Sequence, residues 1–197
     1  MLRAQNKRSN EAYMQKQTEI IARIEDHRFH SWIDRVELDN HAYFYRCINI
    51  AVCNTKGELL LQQRSSQKKI QPLHWDISVA GHIPKEDYPN EDPNNCREAC
   101  HNSAKRELFE ELGMTSDLYF YRDFFPADGY HREYISLFFC IYDGEFQLQE
   151  SEVQQVDFVT PITINSKHPK TRQLQWMIDT NIVHDLQIHI RNTFAIV

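Results

Sequence analysis

Arg106-Glu107-Leu108-Phe109-Glu110-Glu111-Leu112-Gly113-Met114 is the stretch on which the architecture of this chain turns. Read as an α-helix at about 100° per residue, it places Glu107, Glu110 and Glu111 within a sector of roughly 100°, with neighbouring side chains about 5–6 Å apart. Three carboxylates then share one face. Like charges at that spacing cost roughly 0.2–0.5 kcal/mol per pair, so helix stabilisation does not account for the grouping, whereas a bound cation does. The plain alternative is a solvated acidic face. Leu108 and Leu112 form an i,i+4 apolar pair on a different face, and Gly113 suits the left-handed residue that closes a helix. Oxygen donors without paired cysteine or histidine suit Mg²⁺, with Mn²⁺ as the second choice, and Mg²⁺ is commonly held by a few carboxylates together with substrate phosphates.

Working outward, His74-Trp75-Asp76-Ile77-Ser78-Val79-Ala80 reads as a strand delivered into Gly81. A backbone carbonyl at a glycine can approach a metal without a Cβ in the way, so Gly81 joins Glu107, Glu110 and Glu111 as a candidate ligand, a turn glycine being the alternative. Between Gly81 and Glu98 lies a polar, proline-rich segment that includes Pro84, Asp87, Tyr88, Pro89 and Pro93 and reads as a long loop. Asp92-Pro93 is a good helix start, with an N-cap followed by proline. Glu98, nine residues before Glu107 and about half a turn out of phase, falls off the carboxylate face and takes a secondary role. Arg106 borders the face and is placed to orient or neutralise the glutamates.

Further upstream, Cys47 to Cys53 alternates as a strand, Asn54-Thr55-Lys56-Gly57 is a turn, and Glu58 to Arg64 returns as a second strand, giving a hairpin. Arg64 and Lys68 are the candidate substrate-binding cations. Downstream, Leu118 to Phe125, Glu133 to Tyr142 and Val153 to Thr160 read as strands, with Asp128-Gly129-Tyr130-His131 as a loop. Thr171 to Asp179 and Val183 to Asn192 read as helices. Residues 10–26 also read as a helix, on Asn10 as N-cap and a stripe of Tyr13, Met14, Ile20, Ile21 and Ile24, while 29–39 shows no clear period. The organisation expected is an N-terminal helical extension (1–39), one central domain (40–165) and a C-terminal helical segment packed on it (166–197).

The 197-residue chain, 41% hydrophobic and 25% charged, has the composition of a soluble globular protein. It has no apolar run near the roughly 20 residues a membrane helix needs, and no apolar segment follows the basic start, so no membrane partner and a cytoplasmic location are expected. Five cysteines without a CxxC pair indicate neither a disulfide framework nor a zinc ribbon. A formal charge of -6 argues against general nucleic-acid binding but leaves small phosphorylated ligands open, because a bound cation reverses the local sign. The N-terminal apolar stripe allows packing on the domain or across a homodimer.

From Glu98 through Arg106-Glu107-Leu108-x-Glu110-Glu111-x-Gly113-Met114 the chain resembles the Nudix box, in which Gly, five residues, Glu and seven residues precede Arg-Glu-apolar-x-Glu-Glu-x-Gly-apolar; here sixteen residues stand between Gly81 and Glu98, an insertion of eleven. Asn54-x-Lys56-Gly57-Glu58-Leu59-Leu60-Leu61-Gln62-x-Arg64-Ser65 and Trp75-Asp76-Ile77-Ser78-Val79-Ala80-Gly81-His82-Ile83 resemble the branch related to isopentenyl-diphosphate isomerase, over roughly residues 43–160. The resemblance implies an α/β (α+β) fold, a mixed β-sheet between helices. It also implies hydrolysis of a diphosphate bond in a small phosphorylated substrate, with Glu107, Glu110 and Arg106 in catalysis and Glu107 as a frequent base; Glu133, Glu150 and Glu152 are the other candidates. True isomerases of this branch carry a cysteine before the Gly-His pair, where this chain has Ala80, which cannot carry a proton. Their metal site also uses a histidine where this chain has Tyr45 and a carboxylate where it has His131. His82, His131 and Glu133 form a possible second metal site. Isomerase activity and a catalytically silent ligand-binding module are the rival readings.

Overall fold

The computed structural model describes residues 19–125, 132–160 and 169–194. The first strands, β1 (Ile20–Glu25) and β2 (Arg28–Asp34), are an antiparallel hairpin turned by Asp26 and His27, both at positive φ. This overturns the helix read over 10–26: its last third is strand, and 10–18 lies outside the described residues. The physical reason is the sheet. Ile21, Ala22 and Ile24 are buried in a core that β1 enters by pairing with the next strand, so tertiary burial overrides a spacing that is also compatible with a helix. After one helical turn at Glu37–Asn40 come β3 (Phe44–Cys53), β4 (Leu59–Arg64), β5 (Trp75–Ile77) and β6 (Val79–His82). Helix α1 (Cys96–Leu112) follows, then β7 (Tyr119–Phe124), β8 (Glu133–Ile141), β9 (Val153–Val159), α2 (Arg172–Asp179) and α3 (Ile182–Phe194).

Strand β3 is the centre of a mixed sheet. It pairs in parallel with β8 from Tyr45↔Glu133 to Cys53↔Ile141, and antiparallel with β1 and β6. The expected β3–β4 hairpin is real only at its turn. Asn54 Oδ1 accepts from the Lys56 and Glu58 amides at 3.0 and 2.9 Å, Gly57 takes φ 75°, and Cys53↔Leu59 is the one paired position. Beyond it the strands part. β6 runs beside β3, whereas β5 and β9 run beside β4. The strand read as continuous from 74 to 80 therefore breaks at Ser78, whose hydroxyl accepts from Val52 N at 2.9 Å and donates to Leu60 O at 2.5 Å, filling the fork with hydrogen bonds. A hydroxyl is what a fork between two ladders requires, because the split leaves a donor on one side and an acceptor on the other.

Period-two alternation gives the sheet two buried faces. Ile48, Ile50, Val52, Phe138 and Cys140 face α1 with Leu108 and Leu112, while Ala51, Cys53, Leu137 and Phe139 face α2 and α3 with Leu174, Met177, Leu186 and Ile190. Burying one such Leu contributes about 1.5–3 kcal/mol. Helix α1 starts at Cys96, not at Pro93: Asp92 Oδ1 accepts from the Asn94 amide in a turn of its own, and Asn95 leads the helix. Its end agrees with expectation, with Gly113 at φ 64° and its amide donating to Phe109 O at 2.9 Å. The five cysteines are free. No helix among the described residues is long and apolar enough to cross a membrane.

Candidate active site

Gly81 and Glu107 set the geometry. Gly81 pairs with Ile48 and faces α1, where a Cβ in its place would fall well inside contact distance of Glu107 Cδ and Oε1. Only glycine lets the carboxylate lie on this strand. The two border a cavity of about 880 Å³ that Glu110 and Glu111 of α1, His82 and Ala80 of β6, Tyr45 and Asn49 of β3 and Glu133 of β8 also line. The start of α2 closes it with Thr171, Arg172 and Gln173.

The three carboxylates share this cavity but differ in depth. Glu111 is buried, 5% exposed, with Oε2 accepting from Gln62 Nε2 at 3.0 Å. Glu107 is 14% exposed and Glu110 47%, and both meet Arg106 NH1, Glu107 through Oε1 at 3.0 Å and Glu110 through Oε2 at 2.9 Å. Arg106 thus neutralises the outer pair. Among the described residues no three Asp, Glu, His or Cys side chains converge closely enough to enclose an ion. Glu107 and Glu110 turn instead to the guanidinium, the cation the chain itself supplies, and Glu111 to Gln62. Glu98 is exposed and is not among the residues lining this cavity.

Burial makes these carboxylates reluctant anions. Glu107 is pushed up to about 7, chiefly by desolvation and further by Glu110 and Glu19, with Arg106 opposing. Glu111 is raised well above the ordinary range by burial and then by Glu107. Two desolvated carboxyls that repel each other, one with a single protein donor, are a donor set that a hard divalent cation fits.

In the same cavity, His82 Nδ1 accepts from Arg35 Nε at 3.1 Å, and burial, with Arg35, Lys68 and Arg106, lowers its pKa to about 3. It is therefore neutral, and because Arg35 can only donate, the ring proton sits on Nε2. Glu133 Oε1 accepts from Tyr45 Oη at 2.9 Å. Of the possible second metal set, His82 and Glu133 line one cavity, while His131 lies outside the described residues. Arg64 and Lys68 also line it, but Arg64 gives Nε and NH2 to Ile70 O at 3.2 and 3.1 Å and stands 3.6 Å from Asp76, and Lys68 pairs with Glu152. Sequence reasoning missed Gln62, Glu19, Arg35 and Asp87. The first three sit on strands or strand ends far from α1 in sequence. Asp87, in the inserted segment, carried no periodic signal.

A model of the NUDIX domain matches residues 43–177. The chain is similar to the Nudix hydrolase lin0387 of Listeria innocua, 36% identical over 118 residues, 57% of this chain and 62% of the length of that relative. It is also similar to the isopentenyl-diphosphate Delta-isomerase of Streptomyces coelicolor, 29% identical over 143 residues, 68% of this chain and 66% of the relative. Among solved structures, DR0079 of Deinococcus radiodurans superposes with a TM-score of 0.66 over 82% of this chain and 98% of that one, at 17% identity, a likeness of fold.

Proposed function

The chain belongs to the Nudix family, and on that premise we propose that it is a divalent-metal-dependent pyrophosphohydrolase that cleaves a diphosphate bond in a small phosphorylated substrate, such as a nucleoside diphosphate derivative. The observation that carries this reading is the pair of desolvated carboxyls, Glu107 on Gly81 and Glu111 buried beneath it, in one cavity with Glu110. Glu107, Glu110, Glu111 and the Gly81 carbonyl are the residues that would hold Mg²⁺, with Mn²⁺ as a substitute. When bound, such an ion neutralises phosphate oxygens and makes a coordinated water more acidic. Glu107, the carboxylate that lies on Gly81 at the edge of the cavity, would accept the proton from water. Arg106 holds Glu107 and Glu110 together through NH1. Lys68 and Arg64 place positive charge at the wall where phosphate oxygens would lie. His82 Nε2–H offers a neutral donor in the same cavity.

The isomerase reading is weaker at one atom. Ala80, next to Gly81, lines the cavity with no titratable group. The discriminating experiment replaces Glu110 and Glu111 by Gln in turn and follows Mg²⁺-dependent release of phosphate or nucleoside monophosphate from a panel of diphosphates. Each change should lower turnover by about 10²-fold or more. Undiminished release would remove the carboxylates from the mechanism.

A further inference from the structure

The segment inserted between Gly81 and Glu98 is built into the fold rather than looped out. Pro84 bridges to Ile21 of β1, and the Tyr88 ring, 2% exposed, meets Trp32 of β2 edge-on at 5.1 Å. The N-terminal hairpin, which lies outside the matched residues 43–177, thereby fixes the preceding residue, Asp87, against α1. Asp87 Oδ2 accepts from Ser103 Oγ at 2.6 Å and from Arg106 Nε and NH2, each at 3.1 Å, and its carbonyl accepts from Asn102 Nδ2 at 3.0 Å. Its side chain is 13% exposed, so water competes poorly for these bonds.

A guanidinium is planar, and two of its three nitrogens held on one oxygen fix where the third points. That third nitrogen, NH1, is the one on which Glu107 and Glu110 converge. We propose that Asp87 is a positioning residue for the carboxylate platform: tied to the N-terminal hairpin through Tyr88, it holds Arg106 and, through Arg106, the orientation of Glu107 and Glu110. The inference rests on reading that platform as a cation site. Without the Asp87 anion the guanidinium is free to turn its full fork onto either glutamate and so competes with a metal for the same oxygens.

The test is calorimetric titration of Mg²⁺ into the full chain, with melting temperature measured on the same samples. Asp87→Asn keeps the size and the Ser103 partner but removes the negative charge that faces Arg106; its Mg²⁺ dissociation constant should rise about 10–100-fold, the usual cost of losing a residue that orients a metal ligand. Its melting temperature should stay within about 3 °C of wild type. Ser103→Ala, which touches Asp87 but not Arg106, should change the constant by less than about threefold. Arg106→Gln added to Asp87→Asn should cause no further loss, because the two act as one unit. A constant within about twofold of wild type for Asp87→Asn, or a Ser103→Ala loss as large as that of Asp87→Asn, overturns the assignment and leaves the metal site standing. Wild-type protein that takes up no Mg²⁺ overturns the platform reading itself.

Discussion

Replacing Glu107 by Gln should stabilise the metal-free protein while disabling it, and the stability gain should depend on pH in a defined way. Burial raises this carboxyl from an ordinary 4.5 to about 7. Between those values the folded chain binds a proton that the unfolded chain has released, so stability is complete below 4.5 and is lost as pH rises through 7. At about 1.4 kcal/mol per tenfold change in proton affinity, the loss at the top of the window is about 3 kcal/mol. A side chain only 14% exposed needs little discount for screening. The amide of the Glu107→Gln variant does not titrate and escapes this loss. Scanning calorimetry in a chelator should therefore give matching melting temperatures near pH 4.5 and a variant about 6–12 °C more stable near pH 8, using roughly 2–4 °C per kcal/mol. Turnover of the same variant should fall by about 10²–10⁴-fold. A melting difference that does not vary with pH, or that shrinks as pH rises, would refute the desolvation argument.

Other outcomes follow from single contacts. Gly81→Ala puts a methyl well inside contact distance of Glu107 Cδ and drives that side chain off the strand; it should weaken Mg²⁺ binding by about tenfold or more in a calorimetric titration, with little change in melting temperature. Arg64→Ala should destabilise the fold by about 1–3 kcal/mol, read in denaturant titration, because it frees Ile70 O and leaves Asp76, 3% exposed, without its cation. Incubation with isopentenyl diphosphate, followed by NMR, should yield no dimethylallyl isomer, since Ala80 carries no proton; steady turnover would restore the isomerase reading.

Much of the geometry of the candidate site could be read in the sequence because helical spacing is local. Glu107, Glu110, Glu111, the inner Leu108 and Leu112 and the terminal Gly113 all fall as the 3.6 period places them, and Gly81 meets Glu107 as a strand-to-helix junction suggests. What escaped depends on long-range pairing. Ile20, Ile21 and Ile24 fit both a helix stripe and a strand, and only the ladder with β2 and β3 decides between them. The fork between β3 and β4 is likewise invisible in a sequence that reads as a plain hairpin, because Ser78 discloses its role only when both partners, Val52 and Leu60, are in place. Asp87 lies in a polar stretch with no period, and its meaning comes from Arg106, nineteen residues later.

Of the three platform carboxylates Glu111 is the least exposed to water, so titrating Mg²⁺ into wild-type protein and into Glu111→Gln at about pH 7.5 tests the cation-site reading directly. Saturable heat in the wild type, weakened at least about tenfold in the variant, is the result expected of a ligand buried in the platform. Equal binding by both proteins would contradict it.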